Sequence, residues 1–227
     1  MDLNPKLQKL LIEGSSIRSS SRLLGMTYAN TYRKFKWLIQ LAKVEKDKLH
    51  FSAKTLQFDE METILHTKCK PLSIAIMVNE NYQILSLKVA QMPAKGKLAQ
   101  ISRKKYGKLP DEREQIMHES FKDLKLKLLN KPVKVLSDEK PSYRKFVKEY
   151  FPEALYETHS RIDKDLHRDR LHEKIHKKPF DPLFQLNQRC ALLRSQIKRL
   201  TRRSWCTTKK LENLQGHLDL FILGQFQ

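Results

Sequence analysis

FDEMETILHTKCKPLSIAIMV, Phe58–Val78, is the stretch on which the fold turns. Its second half, Leu72–Val78, is a continuous apolar run of strand length, the pattern of a strand buried on both faces. Asn79-Glu80-Asn81 follows as a turn, and Tyr82, Ile84, Leu85, Leu87 and Val89 read as another strand, so the two form a hairpin. Upstream, Leu49, Phe51, Leu56 and Phe58 alternate with polar residues as far as Asp59, which gives a first strand ahead of the hairpin. Downstream, Leu98–Tyr106 and Glu112–Leu129 read as helices, the second with a Phe121, Leu124, Leu128 stripe. Val133, Val135 and Leu136 form a short fourth strand that ends at Asp138, and Tyr143–Tyr150 is helical. Leu183–Leu200 is amphipathic, with Leu186, Cys190, Leu193, Ile197 and Leu200 as its core stripe. Strands, helix, strand, helix and long helix in that order predict an α/β body with a mixed sheet.

Ahead of this body lies an all-α segment. Leu7, Leu10 and Leu11 recur at helical spacing, with Pro5 where a first turn tolerates it. Ile17, Ser21 and Leu24 make a second short helix, Gly25 supplies the turn, and Thr27 caps a third helix with Thr31, Phe35 and Leu38 on one face. Ser20 and Ser21 are small enough for a close crossing, so the pattern is that of a helix-turn-helix. An ordinary helical hairpin needs the same spacing; the basic outward faces favour a DNA-binding use. On that reading Tyr28, Asn30, Arg33 and Lys34 face a major groove, while Arg18 and Arg22 hold phosphates. Asn can read adenine and Arg guanine. The charged, core-free stretch Lys43–Lys48 reads as a boundary, dividing residues 1–45 from a catalytic body at 49–227.

The 227 residues carry 45 Lys+Arg against 25 Asp+Glu, a net charge of +20 and a pI near 9.9. With 40% hydrophobic residues the chain can bury a core and is not a disordered basic tail. No apolar run is long enough to span a bilayer, and no signal peptide opens the chain. Cys69, Cys190 and Cys206 are too few and too scattered for a disulfide framework, and no CxxC pair offers a zinc site. His66 and Cys69 lack the other half of such a site, and the His167, His172, His176 run reads as exposed surface. A soluble protein of a reducing compartment is expected, with a polyanionic partner and no membrane. The charges are segregated: Lys95–Lys108 holds six basic residues and no acid, and Arg189–Lys210 holds eight and no acid. Either run alone could be a solvated helix face.

Two acids stand apart from the acidic surface clusters. Asp59 lies on the first strand and Asp138 closes the fourth. Either one alone reads as a turn or cap residue. Together, at neighbouring strand ends of a basic chain, they match the carboxylate pair that holds divalent metals for phosphoryl transfer. Oxygen ligands suit Mg²⁺ or Mn²⁺.

Several blocks together carry a family resemblance: the helix-turn-helix ahead of FDEMETILHTKCKPLSIAIMV, then QMPAKGKLA with KKYGK, SDEKPSY, FDPLFQLNQRCALLRSQIKRLTRRSWCTTKK and LQGHLDLFI. From about Leu7 to Phe221 the chain resembles bacterial insertion-sequence transposases of the DDE type, near the insertion sequence one group. The resemblance implies an RNase H-like catalytic core, with Asp59 and Asp138 as the first two acids of the triad. It places the third position at Asn187, seven residues before Arg194; Glu173 and then Asp181 are the acidic alternatives. Asn187 offers a neutral carbonyl oxygen. At i, i+7 and i+11, Asn187, Arg194 and Lys198 would share a helix face beside the metal site. Arg202, Arg203, Trp205 and Lys209 would contact the element end, with Trp205 either stacked on a frayed base or simply core. The family's Cys-rich zinc ribbon has no counterpart here, so the chain reads as N-terminally truncated, and the closing LFILGQFQ departs from the family's usual end.

The implied activity is strand cleavage and strand transfer on double-stranded DNA, at element ends and target. It would use two Mg²⁺ or Mn²⁺ ions and a homo-oligomer assembled on DNA at the bacterial nucleoid, in the cytoplasm. A catalytically inactive remnant that binds element ends as a repressor is the alternative. An RNA-associated structural protein is the rival from another class, and it has no use for paired aspartates at strand ends.

Overall fold

The strands expected from Phe58–Val78 and its flanks form one side of a five-stranded mixed sheet in the computed structural model, which describes residues 3–159, 181–201 and 208–225. β1 (Thr55–Leu65), β2 (Thr67–Asn79) and β3 (Ile84–Gln91) make an antiparallel meander. β4 (Lys134–Asp138) and β5 (Leu155–His159) extend it in parallel from the other edge of β1, giving the order β3-β2-β1-β4-β5. Parallel neighbours need crossover connections. α4 (Leu98–Tyr106) and α5 (Arg113–Lys127) lead to β4, and α6 (Tyr143–Tyr150) leads to β5. The chain is therefore α/β with a mixed sheet, as its order of elements predicts.

The apolar run of β2 has a direct cause. Ile74, Ile76 and Val78 face one cluster, with α7 (Phe184–Gln196) and α8 (Leu211–Gly224). Ala75 and Met77 face the other, with Phe121 of α5 and Tyr143 and Phe146 of α6. A strand between two helical layers has no solvent face, so the polar-apolar alternation disappears.

A third layer is built by α1 (Asn4–Ile12), α2 (Ile17–Leu23) and α3 (Tyr28–Asp47). Pro5 lies in the first turn of α1. Ser16 and Thr27 cap α2 and α3 by accepting from the backbone N–H groups of Ser19 and Asn30. Gly25 takes a φ of 61° in the turn between them, and Ser20 and Ser21 are buried where the helices cross. Phe35, Leu38 and Ala42 of α3 join Leu7 and Leu11 of α1 against Leu220 and Leu223 of α8. α8 is thus buried on both sides, between the sheet and the N-terminal helices. Gly216 makes the crossing with α3 possible, since a Cβ there would stand 2.5 Å from Cβ of Ile39.

The structure departs from the sequence reading at several points. Lys43–Lys48 carries α3 through Asp47, and Lys46 reaches Asp219 of α8 at 2.5 Å. β2 begins at Thr67, before the apolar run, because it pairs along nearly all of β1 after a tight turn at His66 with φ 52°. Tyr82, expected in a strand, sits in the turn with φ 62°, because Asn79 Oδ1 accepts from both Asn81 N and Gln83 N and prolongs that turn. α7 ends at Gln196, short of Leu200. β5 and α8 were not anticipated as elements. Among the described residues no helix is long and apolar enough to cross a membrane.

Candidate active site

β1 and β4 pair in parallel through Thr55↔Lys134, Leu56↔Val135 and Gln57↔Leu136. Two residues further along each strand stand Asp59 and Asp138. Side chains alternate with a period of two, so both carboxylates leave the sheet on the face of Gln57 and Leu136, at the same level. On the apolar positions of β1 the faces separate clearly: Phe58 belongs to the α5/α6 cluster and Met61 to the α7/α8 cluster. The pair therefore lies on the side that α7 covers.

Gln57 fixes α7 over that face. Its Oε1 accepts from the backbone N–H of Leu186 at 3.0 Å, and its Nε2 donates to the carbonyl of Pro182 and to Gln185 Oε1. A buried glutamine with both ends satisfied is a rigid tether. The helix then brings Cys190 against the site. Burial pushes that thiol up to about 11, the Asp59 carboxylate adds to the rise, and Arg194 opposes it. Asn187 lies one turn before Cys190 and donates from Nδ2 to Asp181 Oδ2 at 2.8 Å. That bond commits the amino end of Asn187 and leaves its carbonyl oxygen as the atom able to meet a cation. Asp181, the acidic alternative, also accepts from the backbone N–H of Leu183 and so closes the start of α7.

Around the carboxylates the partners are specific. The Tyr143 hydroxyl donates to Asp59 Oδ1 at 3.2 Å. Burial drives its ionisation far upward, and the charges of Asp59, Glu60 and Asp138 add to this, so it stays a neutral donor. Asp138 Oδ1 accepts from the backbone N–H of Lys140 at 3.2 Å. Lys140 Nζ pairs with Glu60 at 2.5 Å, and Glu60 also accepts from Ser73 Oγ. Among the described residues no group of three or more His, Cys, Asp or Glu side chains is placed to share one metal ion. Asn187 is tied to Asp181 on the exposed side of α7.

The remaining site residues divide. Tyr28, Asn30 and Arg33 are exposed at the start of α3, with Arg33 donating to Asn30 Oδ1. Arg22 is exposed on α2. Lys34 is half-buried and donates to Asn4 Oδ1 at 2.6 Å, which ties α3 to α1 and removes it from the outward set. Arg194 stays on α7 with Asn187. Lys198 does not share their face, because Ile197 leaves the helix with φ −96° and ψ 103°. It lines a cavity of about 530 Å³ together with Arg18, Tyr28 and Lys209. Arg202, Arg203, Trp205 and Glu173 lie outside the described residues, as do His167, His172, His176 and Cys206.

Gln57, Tyr143 and Lys140 were not singled out from sequence. Gln57 had a usable signal: a lone amide between Leu56 and Phe58 in a buried strand needs partners on both ends. Tyr143 sits in the SDEKPSY block, but nothing in its spacing shows that its hydroxyl turns back to β1. The chain matches no protein-family model and no curated protein.

Proposed function

We propose that the chain is a DDE-type transposase with an RNase H-like core, acting on double-stranded DNA by metal-dependent strand cleavage and strand transfer. One observation carries this reading: β1 and β4 pair in parallel up to Gln57↔Leu136, and Asp59 and Asp138 each follow two residues later, on the face of Gln57 that α7 covers. The mixed sheet with helices on both faces supports the fold, and the net charge of +20 supports a nucleic-acid partner.

The donor set fits a hard cation. Two anionic oxygens, with the Asn187 carbonyl oriented by its bond to Asp181, suit Mg²⁺ or Mn²⁺ rather than a thiophilic metal. Asp59, Asp138 and Asn187 would hold two such ions, which when bound activate an attacking water or 3′-OH and stabilise the leaving oxygen. The protein's own contribution is positional. Tyr143 holds the Asp59 carboxylate, the Lys140 backbone holds Asp138, and Gln57 locks α7 against the sheet. Arg194, one turn beyond Cys190, brings a cation to the side from which a phosphate backbone would approach. The exposed face of α2 and α3 would engage the duplex, with a homo-oligomer assembled on DNA in the bacterial cytoplasm at the nucleoid.

The test mixes the full chain with supercoiled DNA carrying element ends, in Mn²⁺ or in EDTA, beside Asp138→Asn and Asp59→Asn. Metal-dependent nicking by the native chain, abolished in both variants while DNA binding persists, is the expected outcome. Binding without nicking in every metal would leave the chain a DNA-binding remnant and overturn the catalytic reading.

A further inference from the structure

The cavity of about 530 Å³ lies far along the chain from both aspartates, where the N-terminal helices meet the basic C-terminal block. Its volume is in the range that takes a small molecule or a single nucleotide. Arg18, Lys198, Arg199, Lys209 and Lys210 line it, and none of its described lining residues is acidic. One wall is aromatic. Tyr28 and Tyr32 are stacked with centroids 6.2 Å apart and planes 11° from parallel, and the Arg18 guanidinium lies 5.7 Å over Tyr28.

His217 of α8 also lines the cavity and supplies an independent observation. Its Nε2 is 3.0 Å from the carbonyl oxygen of Leu11, which can only accept, so Nε2 carries the proton. Nδ1 is then a bare acceptor, and among the described residues it is buried without a partner. Burial pushes the imidazole pKa down to about 4, the Leu11 carbonyl opposes this and Arg199 adds to it, so the ring is neutral. Cations and an aromatic wall together call for more than a bare phosphate. A nucleotide matches both parts: its phosphate meets the cations, and its base presents a flat face and N–H groups.

We propose that this cavity takes one unpaired nucleotide of a DNA strand, with its phosphate among Arg18, Lys198, Lys209 and Lys210 and its base against Tyr28 and Tyr32. It shares the DNA partner of the proposed function but does not require the Asp59/Asp138 chemistry. An unpaired nucleotide at a strand end is available without the expense of unstacking a duplex.

The experiment compares the full chain's affinity for a blunt duplex, the same duplex with one overhanging adenine, and free dAMP. The overhang should improve affinity about tenfold or more, the scale of one base stacked on an aromatic side chain. Tyr28→Ala should bring the overhang-to-blunt ratio close to one; Tyr28 is exposed, so folding is not at stake. Lys209→Ala should weaken both duplexes alike and flatten their salt dependence. The imidazole ¹⁵N resonance of His217 Nδ1 should shift on adding the overhang duplex and not the blunt one. Equal affinity for the two duplexes would overturn the proposal, and free dAMP binding as tightly as the overhang would overturn its strand origin. Loss of nicking with the overhang preference intact would sink the strand-transfer reading and leave this one standing.

Discussion

Tyr143 shows how much of a carboxylate site is made by a residue that carries no charge. Its ring is buried 4.8 Å from that of Phe58, and its hydroxyl points back to Asp59. Tyr143→Phe keeps the ring and removes only the donor. If the chain cleaves DNA as proposed, cleavage should fall about 10- to 100-fold and require more Mn²⁺, the usual consequence of removing an outer-shell partner, with little change in melting temperature. Metal titrations of the nicking rate would check it, and an unchanged titration would mean that Asp59 needs no orientation. At the opposite pole is His217, whose depressed pKa couples stability to acid. Above pH 6.5 both folded and unfolded chains hold this imidazole neutral. As pH falls from 6.5 towards 4 only the unfolded chain gains the proton, so folding should lose about 3 kcal/mol across that window and level off below it. Urea unfolding at a series of pH values should show the slope, and His217→Gln should flatten it.

At the scale of elements, the crossing of α3 and α8 depends on an absent side chain. Gly216→Ala would put a methyl 2.5 Å from Cβ of Ile39, which is itself fixed in a helix and cannot swing away. The variant should be about 1–3 kcal/mol less stable, read from the urea midpoint at constant slope. Gly216 also explains part of what the sequence conceals. α8 reads poorly because it is buried on both sides, so Leu214, Leu218, Leu220 and Ile222 surround it instead of forming one stripe. β5 is concealed for the opposite reason: Leu155 and Thr158 on this edge strand are exposed, and LYETH lacks both an apolar run and clear alternation. By contrast β2 to β4, α3, α5 and α6 follow from periodicity, while the first strand was read from Leu49 to Asp59 and is found at Thr55–Leu65, because its second half is held by pairing with β2. Of the site, Asp138 was legible as the acid that closes a strand, whereas Asp59, expected at a strand end, lies inside β1, which runs on to Leu65. Their placement two residues beyond the last parallel rung, Gln57↔Leu136, was not legible, since register is a property of pairing and not of either strand. Lys198 was assigned to the wrong face because helical spacing was carried past Gln196, where the backbone turns extended.

For the whole molecule, the two segments separated by Lys43–Lys48 are contiguous in space through the last helix. Leu220 and Leu223 complete the core of the N-terminal helices, and Lys127 joins the end of α3 to α5 by bonding the carbonyl of Lys46 and Asp47 Oδ1, each at 3.0 Å. The Lys46–Asp219 pair is the most enclosed of these links, with Asp219 also accepting from Gln215 Nε2. Two consequences separate this arrangement from a DNA-binding head on a flexible neck. The chain should unfold in one calorimetric transition, because stripping α8 from α3 exposes the cores on both of its sides. Asp219→Ala should shift that single transition downward as a whole. It leaves the Lys46 ammonium in a largely enclosed place without its counter-charge, at a cost of about 3–5 kcal/mol. The companion Lys46→Met, Asp219→Leu variant removes both charges and should recover most of the loss. Two resolved transitions in the native chain, or an Asp219→Ala effect confined to the smaller of them, would instead mean that the N-terminal helices fold on their own account. On the proposed reading, coupling of this kind would give DNA engaged by α2 and α3 a rigid path to the face that carries Asp59 and Asp138, since α7 and α8 contribute to the same cluster over the sheet.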